Sequence, residues 1–132
     1  RIFNEEIDTI NNANFKIIEY GFIEASKENI YKNFDVLIHP SFIEGSAKCI
    51  YEGMASGLPI ICTNESGSLV RHNENGFIFK AGDSKSLYMS LMFFLKNRNK
   101  IKTMGLKSKE IIKNYSWEIY AKKVIKKYLY KI

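Results

Sequence analysis

The chain has 132 residues, 45% hydrophobic and 26% charged, the composition of a globular domain with one hydrophobic core and far from that of a disordered chain. Its longest unbroken apolar run, Leu91 to Leu95, is much shorter than the roughly 18 residues of a membrane span, and the polar opening residues do not read as a signal peptide. The net charge of +6 is uneven, with 8 basic and 12 acidic side chains in residues 1–95 against 12 and 2 in residues 96–132. Charge alone does not choose between nucleic acid, an anionic membrane and solvated helix faces.

In chain order, residues 2–11 read as a helix, and residues 15–20, β-branched and aromatic and closed by Gly21, read as a strand. Ser26 is placed to cap a short helix through Asn33, with Glu28 favourable in its first turn. Residues 35–38 form a second strand, ending at His39-Pro40-Ser41. Residues 46–56 have helical character and must stop at Gly57, which tolerates positive φ, and Pro59, which cannot continue a helix. Residues 59–63 are nearly all apolar, as a strand covered on both faces of a parallel sheet requires. Asn75-Gly76 marks a turn into a short strand over 77–79.

From Asp83 onward the pattern is helical. Asp83 caps a helix with Leu87, Leu91, Phe94 and Leu95 on one stripe, and Met89, Met92, Phe93 and Phe94 read as core. Residues 97–114 form a more polar helix, and Ser116 caps the last one. Strands alternating with helices predict a single α/β domain over 1–132, a Rossmann-like open parallel sheet flanked by helices with a helical C-terminal segment. Cys49 and Cys62 have no metal-ligand spacing, so they read as small buried thiols of a reduced, cytoplasmic chain. The first residue, Arg1, suggests a piece of a longer protein.

In open α/β sheets, ligands bind beyond the carboxyl ends of the strands. Two segments qualify, 39–45 and 63–67. Glu44 lies before a helix and Glu52 well inside it, which separates them by about 12 Å along the axis at the helical rise per residue. The N–H groups of Gly45 and Ser46 lie between them at the positive end of the helix, suited to a phosphate or a row of hydroxyls. Carboxylates accept hydrogen bonds from diols, so the arrangement suits a sugar, a diphosphate and a ribose laid end to end.

The stretch HPSFIEGSAKCIYEGMASGLPIICT resembles the Glu-x7-Glu signature of retaining, GT-B-type glycosyltransferases of family 4, in its frame of Pro-Ser, Glu-Gly, Glu-x-Met-Ala-x-Gly-x-Pro-x-Ile and Thr. The resemblance runs from Gly21 onward, through Ser66-Gly67-Ser68, Asn75-Gly76-Phe77, Gly82-Asp83 and Tyr115-Ser116-Trp117-Glu118. It implies part of the C-terminal, donor-binding domain of an enzyme that moves a sugar from a nucleotide diphosphate sugar to an acceptor hydroxyl in glycan or cell-surface polysaccharide synthesis. Glu44 would be the catalytic-site carboxylate at the transferred sugar, with the N–H groups of Gly45 and Ser46 beside it. Glu52 would hold the ribose, Ser66 and Gly67 would approach the diphosphate or sugar, and no obligatory metal is implied.

There are departures. The first strand-helix units, whose Arg and Lys grip the diphosphate in resembling enzymes, do not fit in the residues before Phe15, so the chain alone is expected to be inactive. Ser68-Leu69-Val70-Arg71 replaces the acidic residue many members have after the glycine, and Gly53 stands where alanine is usual, as if to admit another backbone.

His39 reads as a locally bonded residue and Arg71 as a surface one. On the final helix Trp117, Tyr120, Ala121, Val124, Tyr128 and Leu129 share a face, with Lys122, Lys123, Lys126, Lys127 and Lys131 elsewhere. This amphipathic basic helix is expected to dock on an N-terminal acceptor domain, with Trp117 its main buried anchor, or to lie on an anionic membrane at the inner face. Nucleic acid is disfavoured because no motif or stacking platform accompanies the lysines. The rival function is a non-catalytic nucleotide- or sugar-binding module with a docking or membrane-interaction helix.

Overall fold

The computed structural model describes Ile18, Gly21 and residues 30–129. The helix expected over 2–11 and the strand over 15–20 therefore fall outside the described residues, apart from Ile18, and the helix expected from Ser26 is described only at its end, where Ile30 and Tyr31 are helical. The remaining elements are β1 Leu37–His39, α1 Lys48–Ser56, β2 Ile60–Thr63, a 3-10 turn Asn64–Ser66, β3 Gly76–Phe79, α2 Ser84–Lys96, α3 Arg98–Ile112 and α4 Trp117–Leu129. The strands form one parallel sheet in the order β1-β2-β3, with Leu37 opposite Ile60 and Ile60 opposite Gly76.

Strand β2 is the centre of the fold. Ile60, Ile61 and Cys62 are wholly inaccessible and Thr63 nearly so. Successive side chains of a strand point to opposite faces. Ile60 and Cys62 join Ile50 and Met54 of α1 and Ile111 of α3 in one core, while Ile61 joins Phe77, Phe79, Phe94 and Met104 in another. Each fully buried aliphatic side chain contributes about 1.5–3 kcal/mol. Phe77, Phe93 and Phe94 meet edge to face, with ring centroids 4.9–5.6 Å apart, the favoured arrangement for ring quadrupoles.

Helix α2 starts as expected, with Asp83 accepting from the Ser86 N–H at 3.0 Å and the Ser86 hydroxyl at 2.6 Å. These bonds hold the Asp83 carboxyl below its usual range. Its inward stripe is narrower than the sequence pattern suggests. Leu87, Leu91 and Phe94 face the core, but Leu95 and Met89 are both 60% exposed. At 3.6 residues per turn Leu95 stands about 80° round the helix from Leu87 and Met89 on the far side, away from the sheet that the described strands form.

Close approaches explain three glycines. A Cβ on Gly53 would meet the Leu37 side chain, with Cδ2 at 2.7 Å, so the position makes room for a side chain of β1 and not for a backbone as expected. A Cβ on Gly76 would overlap the Ile60 carbonyl, and one on Gly105 of α3 the Gly57 carbonyl at the end of α1. Gly57 has φ of 89°, and the following Leu58 N–H donates to the Gly53 carbonyl at 3.0 Å, which closes α1.

Asn75 is a buried polar hub. Its side chain accepts from the Arg71 N–H at 2.7 Å and donates to the Ser108 hydroxyl at 3.1 Å, while its carbonyl accepts from the Ile60 N–H at 3.1 Å. One side chain thus ties the turn before β3 to helix α3 and leaves no polar atom orphaned.

Ser116 caps α4 as expected, accepting from the Ile119 N–H at 3.2 Å. Trp117, by contrast, is 83% exposed, and no residue of α4 is buried. Among the described residues, therefore, the expected anchor is left open, as a helix that docks elsewhere would leave it. Helices α1, α2 and α3 already cover the sheet, which leaves the aromatic face of α4 unpacked among the described residues.

Gly105→Ala should lower stability by about 1–3 kcal/mol in urea denaturation, because a methyl there meets rigid backbone. Gly53→Ala should cost less, since Leu37 can turn aside and the helix interior gains about 0.5–1 kcal/mol from alanine. Equal losses for the two variants would contradict this distinction.

Candidate functional site

Because the strands are parallel, His39, Thr63 and Phe79 end along one edge of the sheet. The chain leaves β1 through residues 40–47 and leaves β2 through the 3-10 turn and Gly67. These two departures, read separately in the sequence, form one platform. The Glu44 N–H donates to the Glu65 carbonyl at 3.0 Å and the Ala47 N–H to the Ser66 carbonyl at 3.2 Å. Thr63 Oγ1 donates to the Ser41 carbonyl. The Ser46 hydroxyl donates to the Tyr51 hydroxyl at 3.0 Å, and Tyr51 donates in turn to the Gly67 carbonyl at 3.2 Å. Gly67, at φ of 56°, lies so close that a Cβ would overlap the Gly45 carbonyl.

This bonding shortens α1 at its start. The helix begins at Lys48 and not at Ser46, with Ala47 as an N-cap that has no side-chain acceptor. The segment before it is held out of helical geometry by the neighbouring turn, and Ser46 bonds to Tyr51 instead of capping. The N–H groups of Gly45 and Ser46 have no acceptor among the described residues. They lie ahead of the first helical turn, whose own first N–H groups also lack helical partners. Ser66 is fully buried and its hydroxyl donates to the Thr63 carbonyl at 2.8 Å, so its side chain braces the turn and faces away from solvent. Gly67 is exposed at the platform surface.

The two carboxylates are held differently. Glu44 is exposed, and its Oε1 lies 3.8 Å from Nε2 of His39, too far for a hydrogen bond. That His39 nitrogen is buried without a hydrogen-bond partner, while Nδ1 lies 3.4 Å from the Cys49 sulfur. Glu52 is more enclosed. Its Oε2 accepts from the Tyr31 hydroxyl at 3.1 Å, and Lys48 lies 3.7 Å from Oε1. Burial first, then the Glu52 carboxylate, push the Tyr31 hydroxyl up to about 12. Burial also raises the half-buried Cys49 thiol, which keeps it a neutral and poorly nucleophilic group. Phe42 and Ile43, 70% and 89% exposed, flank Glu44 on the loop.

Among the described residues, no three His, Cys, Asp or Glu side chains gather at one point, and no helix is long and apolar enough to cross a membrane. Sequence reasoning missed Tyr31 and Tyr51. Tyr31 reaches a partner 21 residues away, for which the sequence carries no local signal. Tyr51 neighbours Glu52, but its bond runs to a different strand-end loop.

Residues 5–116 match the family model described as glycosyl transferases group 1. An uncharacterised glycosyltransferase of Methanocaldococcus jannaschii is 32% identical over 84 residues, covering 62% of this chain and 24% of that protein. The capsular polysaccharide biosynthesis glycosyltransferase CapM of Staphylococcus aureus is 27% identical over 88 residues, 65% of this chain and 23% of CapM. The UDP-Gal:alpha-D-GlcNAc-diphosphoundecaprenol alpha-1,3-galactosyltransferase of Escherichia coli is 36% identical over 66 residues, 48% of this chain and 17% of that enzyme. The chain thus spans a quarter or less of these relatives. The crystal structure of TarM superimposes with a TM-score of 0.76 over 92% of this chain and 26% of TarM, at 19% identity, which identifies the fold as that of a GT-B domain.

Gly67→Ala should separate the two loops, because the methyl overlaps the Gly45 carbonyl and the backbone is at positive φ. The amides of Glu44 and Ala47 should then exchange hydrogen faster; unchanged exchange there would contradict the platform. A second expectation concerns alkali. Since the Tyr31 hydroxyl is raised from 10.0 to about 12, its contribution to stability is complete below pH 10 and is lost as pH rises from there through about 12. Tyr31→Phe should lack that component of the alkaline unfolding curve.

Proposed function

The chain belongs to the group 1 glycosyl transferases, and on that premise we propose that it binds a nucleotide diphosphate sugar and serves a retaining, family 4 type transfer to an acceptor hydroxyl. The observation that carries this reading is the platform itself: two unpartnered N–H groups, on Gly45 and Ser46, between an adjustable carboxylate and a fixed one. Glu52 accepts hydrogen bonds from the ribose hydroxyls. The Gly45 and Ser46 N–H groups face the diphosphate end of the sugar, where they stabilise the negative charge of the leaving group without reorganising. Glu44 contacts the transferred sugar and favours the positive charge that develops at its reacting carbon. Gly67 lets the donor approach the backbone, and Ser66 supports that loop from beneath. No bound metal is required as a cofactor in this scheme.

The remaining length of the protein supplies the acceptor-binding portion and further cations for the diphosphate, in keeping with relatives of which this chain matches a quarter or less. The exposed aromatic face of α4, with Trp117, Tyr120 and Tyr128, docks on that portion, while its exposed lysines meet anionic lipid headgroups at the inner membrane face. Cytoplasmic work is supported by Cys49 and Cys62, which are both unpaired. The printed activities of the S. aureus and E. coli relatives favour a role in polysaccharide or lipid-linked glycan assembly.

In the full-length protein, Glu52→Ala should weaken nucleoside diphosphate affinity about tenfold to a hundredfold, the range for losing a charge-assisted hydrogen bond of about 1.5–3 kcal/mol. Glu44→Gln should instead lower turnover, with a smaller effect on free nucleotide affinity. Calorimetry and initial-rate kinetics separate the two. Unchanged nucleotide affinity in Glu52→Ala would remove Glu52 from the site.

A further inference from the structure

One restraint on Glu52 comes from outside the signature motif. Tyr31 lies ahead of β1, and its ring packs at the edge of the core that contains Ile50 and Met54. From that anchored position its hydroxyl reaches the Glu52 carboxylate at 3.1 Å. Lys48, four residues before Glu52 on α1, is 3.7 Å away but 77% exposed, so it is a mobile partner and a weak restraint. The Tyr31 hydroxyl keeps its proton throughout the neutral range, which makes it a permanent donor to that carboxylate. Its bond occupies one lone pair of Oε2, and a carboxylate has further lone pairs to offer a ligand.

We propose that Tyr31 is a positioning residue for donor binding: it fixes the Glu52 side chain in the orientation that receives the ribose hydroxyls of the nucleotide. The inference rests on the reading of Glu52 as the ribose-binding group. A glutamate that is free to rotate must be ordered when ligand binds, and one held beforehand by a packed phenol is not. The contrast with Glu44 follows the chemistry. The ribose does not react, so a rigid partner suits it, whereas charge develops at the transferred sugar, beside a carboxylate that His39 approaches only loosely. Contacts to an unreacting part of the substrate bind ground state and transition state alike, so losing them raises KM and leaves kcat nearly unchanged.

The test uses the full-length protein and calorimetric titration with the uridine, guanosine and adenosine diphosphates, each paired with its 2′-deoxy form. The tightest ribonucleotide is carried forward. Tyr31→Phe should raise its Kd by about five- to twentyfold, part of the effect of a hydrogen bond to a charged group. The preference for ribonucleotide over deoxyribonucleotide should shrink by a similar factor, with donor KM following and kcat within about twofold. That preference is a ratio, independent of the fraction of protein folded, so a merely structural loss would not move it. In a Glu52→Gln background Tyr31→Phe should add little, since its acceptor is already changed.

A wild-type ratio in Tyr31→Phe, when Glu52→Ala does weaken binding, would overturn the positioning role alone. Full-strength binding in Glu52→Ala would overturn the reading beneath it. A kcat loss in Tyr31→Phe equal to the loss in kcat/KM would also refute the proposal, because it would place Tyr31 in the chemical step.

Discussion

Burial of β2 on both faces is the constraint from which the site follows. A buried strand must give its backbone hydrogen bonds to neighbours, and β2 does so in parallel with β1 on one side and β3 on the other. Parallel pairing puts every carboxyl end on the same edge. The loops after β1 and β2 therefore emerge side by side and bond to each other through Glu44, Ala47, Thr63 and Tyr51. Gly67 completes this by allowing its loop to touch the Gly45 carbonyl. The platform has little freedom of its own, which is what preorganised N–H donors need in order to stabilise charge.

Around that platform the polar groups fall into two kinds. Ser66, Thr63, Asn75 and Ser108 are buried with their partners supplied, and their removal would leave orphaned groups in the core. Glu44, Gly45 and Ser46 are exposed, with bonding capacity to spare. Glu52 stands between these kinds, half-buried and bonded to Tyr31.

The C-terminal region repeats the lesson with helices. Gly105 lets α3 lie against the end of α1, and Asn75 ties α3 to the turn before β3. With α1, α2 and α3 covering the sheet, α4 keeps its cap at Ser116 but none of its residues is buried. Helix formation is local, set by capping and propensity, whereas burial depends on which surfaces remain uncovered.

The sequence by itself determined the order of β1, α1, β2, β3 and the three later helices, through apolar runs, Gly57 and Pro59, and the caps at Asp83 and Ser116. It also marked Glu44 and Glu52 as candidates, through the frame of Pro-Ser, Glu-Gly and Glu-x-Met-Ala-x-Gly-x-Pro around them that carries the family resemblance, since the spacing of two carboxylates alone is a weak signal. What it could not determine is which groups meet across chain separation. The late start of α1, the inward hydroxyl of Ser66, the side-chain contact at Gly53, the exposure of Leu95, Met89 and Trp117, and the bond from Tyr31 to Glu52 were decided only by tertiary structure. Periodicity says which side of an element is apolar, but the width of the face it meets, and the donor that arrives from another element, are properties of packing in three dimensions.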